Sequence, residues 1–158
     1  MSLTKLTAAE CLLDAAIARL LDKADAVSAI VLAGSAEDVL EGLLEAEGRE
    51  SEAARNQQAD AILRLLRQFK DGTDKVLAFK GACSQMRFVF NWLRHADSED
   101  DPPTLDSDIA EEARETIDRA IYNLYALEQR LPARVRDFDR RRRGSQPTVD
   151  LTLPSMPP

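Results

Sequence analysis

Apolar residues recur along this chain three and four positions apart, the spacing that places them on one face of an α-helix. In the first such stretch Leu12, Leu13, Ala16, Ile17, Leu20 and Leu21 share a face, and Thr7-Ala-Ala-Glu10 ahead of them has the form of a capping box. A charged run at 22–25 breaks it. The second stretch, 26–47, is apolar almost all round and so belongs in the middle of a bundle. Its small residues, among them Ala33, Gly34, Ser35 and Ala36, allow neighbouring backbones to approach closely. Gly34 in mid-helix costs about 1 kcal/mol relative to Ala, so a packing reason is expected for it. Gly48 then supplies a stop. Ser51 is the expected cap of a third helix with Ala59, Ile62, Leu63, Leu66 and Phe69 inside, ended by Asp71-Gly72. Thr73 can cap a fourth, running over about 74–96. After an acidic, Pro-containing loop at 97–103, a fifth helix over 107–130 turns Ile109, Ala113, Ile117, Ala120, Ile121 and Leu124 inward. Glu115 and Arg119 stand four apart on its outer surface in the favourable order. Pro132 interrupts this helix, and a short continuation through Val135 and Phe138 ends in the arginine run 140–143. The pattern predicts an all-α fold, an up-and-down bundle of four to five helices with the fourth in the core.

Bulk properties narrow this picture. A chain of 158 residues is one domain with a sizeable core, here 1–144, followed by a Pro-rich and mobile tail over 145–158. A net charge of −7 argues against coating nucleic acid with the whole surface, while leaving room for a local basic patch. The arginine run suits a helix C-terminus, where cations are favoured, better than a phosphate track. Cys11 and Cys83 share no metal-ligand spacing and read as reduced, buried thiols. Neither a signal peptide nor a membrane span is expected, which points to a cytoplasmic protein. One His, two distant Cys and no Glu-x-x-His pair make no metal site, and no Gly-rich phosphate loop or serine elbow suggests a cofactor.

Chemistry concentrates at 86–97, Met-Arg-Phe-Val-Phe-Asn-Trp-Leu-Arg-His-Ala-Asp, which holds the only Trp and the only His. On one helix Arg87, Asn91, Arg94 and His95 would share a sector, with Met86, Val89, Phe90 and Leu93 opposite and Phe88 and Trp92 on a flank. Such a quartet is either a buried network or a site. Glu37 falls on an apolar face of the second helix and needs a partner, for which Arg87, Arg94 and His95 are the candidates. The apolar flank predicts a homodimer with the fourth helix near its seam.

Asn91-Trp-Leu-Arg-His95, preceded by Ala33-Gly-Ser-Ala-Glu-Asp38, resembles the HEPN superfamily of bacterial all-α proteins; Ile121-Tyr-Asn-Leu-Tyr-Ala-Leu127 and Leu131-Pro132 extend the likeness. The resemblance implies a dimeric, metal-independent RNA-cleaving fold in which an Arg, usually followed by a polar residue, is separated from a His by four to six intervening residues. Asn91 matches the polar position and His95 the His, but Phe90 stands where the Arg belongs, and Arg87 is seven residues clear of His95. A module that binds RNA or a protein partner with a degenerate cleavage site is the implied function. An active endoribonuclease using His95 with Arg87 or Arg94, and a purely structural interaction module, are the alternatives.

Overall fold

The computed structural model describes residues 3–67, 75–94 and 104–145, and every regular element among them is helical. Seven α-helices follow in order: α1 Lys5–Lys23, α2 Ala26–Ala46, α3 Ala54–Arg67, α4 Lys75–Met86, α5 Phe88–Arg94, α6 Ile109–Ala126 and α7 Ala133–Ser145, with a single 3-10 turn at Glu50–Glu52. The expected all-α class therefore holds, with more and shorter helices than the periodicity predicted. Phe69, Thr73, His95, the acidic loop and the C-terminal tail lie outside the described residues.

The core is built by α1, α2 and α6. Leu13 and Ile17 from α1, Ile30, Leu40 and Leu44 from α2, and Ile117, Ile121 and Leu124 from α6 are all fully enclosed. Each such side chain contributes about 1.5–3 kcal/mol by leaving water. Across one end α7 rests on α1 and α6 through Val135 and Phe138. The short α5 lies on α2, while α3 and α4 pair with each other, α3 packing on α6 and α4 adjoining α5.

The helix ends depart from the expected signals. Thr4, not Thr7, caps α1: its hydroxyl accepts from the Thr7 amide at 3.0 Å. Asp25 caps α2 by accepting from Ser28, so the charged break does fall where the pattern put it. Asp108 caps α6, which starts at Ile109, by taking the amides of Ala110 and Glu111. The start of α3 is served not by Ser51 but from α6, where the Asn123 side-chain carbonyl accepts from Ala54 N at 2.7 Å. Arg49 reinforces that corner with a 2.6 Å bond to the Ala126 carbonyl. The largest difference is at Arg87. There the expected fourth helix divides into α4 and α5, the Arg87 amide reaching back three residues to Ser84 and the helical ladder resuming from Arg87 to Asn91.

Candidate functional site

Where α5 meets α2, a helix without side-chain bulk receives an aromatic ring. Phe90 is 1% exposed and lies directly on Gly34; a methyl group there would overlap the ring. This is the packing reason expected for the glycine. Two guanidiniums also lie over the ring, Arg87 at 4.5 Å and Arg94 at 5.1 Å from its centre. The ring's negative face favours both.

The same arginines share one carboxylate. Arg87 Nη1 lies 2.5 Å from Asp38 Oδ1, and Arg94 Nη1 lies 3.2 Å from Asp38 Oδ2. They differ in access: Arg87 is 7% exposed, whereas the Arg94 side chain is 47% exposed. Burial opposes the Arg87 charge, but its bond to Asp38 and the nearby Glu37 and Glu41 outweigh that and hold its pKa above the ordinary arginine value.

Glu37 is fully enclosed, as its place on α2 required, but its main partner is Arg119 of α6. Arg119 Nε donates to Glu37 Oε1 at 2.8 Å, and Arg119 Nη2 donates to Thr116 Oγ at 3.2 Å. Arg87 Nε stands 3.9 Å from the other Glu37 oxygen, a charge contact without a hydrogen bond. Arg94, one expected partner, pairs with Asp38 instead. The expected surface placement of Arg119 beside Glu115 is corrected by the same geometry: at 3% exposure it is a core residue. A buried carboxylate attracts the nearest cation that can reach it without crossing solvent, and α6 packs on α2.

One turn further along α2, Glu41 meets Arg55 of α3 at 2.6 Å. Burial, followed by repulsion from Glu37, pushes the Glu41 carboxyl up to about 7, against the pull of Arg55 and Arg87. Cys83 lies beside this pair, its thiol raised chiefly by burial. Cys11, expected to be buried, is exposed on α1. The cluster thus gathers Glu37, Asp38 and Glu41 against Arg55, Arg87, Arg94 and Arg119. Sequence reasoning found Glu37, Arg87 and Arg94 but missed Asp38, Glu41, Arg55 and Arg119. One signal was available for the last: Thr116, Arg119 and Asn123, spaced three and four apart, flank the apolar stripe of α6, and all three are buried.

Chemically this is a joint of paired charges, three carboxylates against four guanidiniums, rather than an open cleft. Asn91 is half-buried on α5, and His95 lies outside the described residues. Phe90, in the motif's Arg position, faces the core and offers no donor. Among the described residues no group of three or more His, Cys, Asp or Glu could hold a metal ion, and no helix is long and apolar enough to cross a membrane. The arginine run is also partly structural. Arg142 ties α7 to α6 through Glu111 at 2.6 Å and Asp118 at 3.0 Å, and Arg143 bonds to Asp139 at 2.9 Å. No protein-family model matches the chain, nor does any curated protein or solved structure.

Proposed function

We propose that this chain is a HEPN-like homodimeric helical module that acts by binding RNA or a protein partner, its RNA-cleavage site degenerate or lost. The observation that carries the reading is the position of Arg87. It is the nearest arginine upstream of the polar position at Asn91, and its guanidinium is enclosed between Asp38 and the Phe90 ring. Cleavage by an internal 2′-hydroxyl needs a guanidinium free to meet the charge that builds on phosphorus. Turning Arg87 outward would break its ion pair with Asp38 and its contact with the Phe90 ring, leaving Arg94 alone to serve both, so the residue serves the fold. Support for pairing comes from Phe88 and Trp92, half-buried side chains that carry the apolar surface of α5 towards its outer face. The enzyme alternative draws on Arg94, which keeps half its surface in water while touching Asp38.

Incubating the protein with RNA in the presence of a metal chelator tests the reading. Intact RNA, with wild type and His95→Ala indistinguishable, is the expected result. Cleavage that a still-folded His95→Ala protein loses would replace it with the ribonuclease. Light scattering at tens of micromolar should show a dimer, and a stable monomer would remove the two-fold pairing.

A further inference from the structure

A groove between α3, α6 and α7 is made of two adjoining hollows of about 330 and 510 Å³ that share Gln58, Asp118 and Arg142 in their walls, the second also touching Arg119. One wall presents Tyr122 and Tyr125, three apart on α6, with 48% and 44% of their surface in water. These are the only aromatic residues among the described large exposed apolar side chains. Arg143 lies over the Tyr125 ring at 5.4 Å and keeps 67% of its own side chain exposed.

The rim of this groove is α7, which carries six Arg against two Asp in a chain of net charge −7. Arg136, Arg140 and Arg143 recur four and three apart and therefore form one stripe on α7, whose Arg143 end lies over Tyr125. Among the described residues neither Arg136 nor Arg140 makes an ion pair, and both are exposed. Like charges four apart on a helix destabilise it by about 0.2–0.5 kcal/mol unless something neutralises them. Other α7 arginines are neutralised from within: Arg134 by Asp22 and Arg142 by Glu111 and Asp118. Within the stripe Arg143 pairs with Asp139, so the surplus pointing outward is that of Arg136 and Arg140.

We infer that the α6–α7 face binds a single-stranded nucleic acid, with its phosphates along Arg136, Arg140 and Arg143 and its bases stacked on Tyr122 and Tyr125. Phosphate spacing suits a row of guanidiniums, and exposed aromatic faces accept unpaired bases of any sequence. An acidic peptide would meet the arginines equally well but would leave the tyrosine faces without a flat partner. The inference stands on this face alone and does not depend on the role of the α2–α5 joint.

Fluorescence anisotropy with labelled oligouridylate and oligothymidylate, read at several salt concentrations, tests it. Both strands should bind comparably, since phosphates and base faces are common to them. Log affinity should fall against log salt with a slope of about −2, three phosphates at roughly 0.7 each. Arg136→Gln with Arg140→Gln should weaken binding at low salt by about tenfold and bring the slope to about −0.7. Tyr122→Ala should weaken it by about fivefold with the slope unchanged. These side chains are exposed, so matching thermal melts should accompany each loss. No binding of either strand at low salt overturns the inference, whatever the cleavage assay gives. So do variants that bind as wild type does, or polyglutamate competing as well as the strands while Tyr122→Ala changes nothing. RNA bound by wild type and both variants alike would leave the module a binder and move its site elsewhere.

Discussion

Glu41 sits between two opposing effects, and magnitudes decide which prevails. Arg55 at 2.6 Å favours its charged form, yet enclosure and the neighbouring Glu37 raise the carboxyl from the ordinary 4.5 to about 7. A carboxyl whose pKa is higher in the folded state binds its proton more tightly there. Its contribution is greatest below the unfolded value and is lost as pH climbs from 4.5 to about 7, by roughly 3 kcal/mol in all. Glu41→Gln should therefore match wild type near pH 4 and exceed it in stability at pH 8. Urea titrations at the two pH values check this, and parallel pH profiles for both proteins would disprove it. Gly34 raises the opposite question, because Ala is the better helix former by about 1 kcal/mol. The added methyl would overlap the Phe90 ring, which is fixed by two guanidiniums and the α2 backbone. Gly34→Ala should destabilise the protein by about 1–3 kcal/mol, and Phe90→Leu should make that same change cheaper, a coupling that a double-mutant cycle measures.

Elements formed largely where the sequence placed them, but their ends did not. Period alone located α1, α2 and α6, because each carries a long apolar stripe whose spacing is a local property of the chain. The division at Arg87 was invisible to period, since Met86, Val89, Phe90 and Leu93 continue the stripe across it. Its physical context is a contact with Asp38, distant in sequence. The start of α3 depends likewise on Asn123, a buried residue 69 positions away whose role no local spacing reveals. Asn123→Leu should strand the Ala54 amide and cost about 1–3 kcal/mol. Hydrogen exchange should show faster exchange in the first turn of α3, with α1 protected as before. Uniform exchange across both helices would mean that this bond does not hold the corner.

For the molecule as a whole, the sequence made Glu37 recognisable because a charge on an apolar face demands a partner, and Arg87 and Arg94 because they share a polar sector of a helix that is otherwise apolar. It could not pair them, since the choice among Arg87, Arg94 and Arg119 is made by how α2, α5 and α6 pack. That packing also changes what can be asked of Phe90. Its ring fills the space above Gly34, so placing an Arg there would bury an unpaired charge rather than restore a cleavage motif. The consequence for function is that the arginine nearest to the motif's pattern belongs to the scaffold. Equilibrium urea unfolding of Arg87→Ala tests this most directly. The loss of its ion pair and its contact with Phe90 should lower stability by about 2–4 kcal/mol, less than a wholly enclosed pair because Asp38 reaches water. An unfolding midpoint unchanged from wild type would contradict the account and return Arg87 to the catalytic candidates.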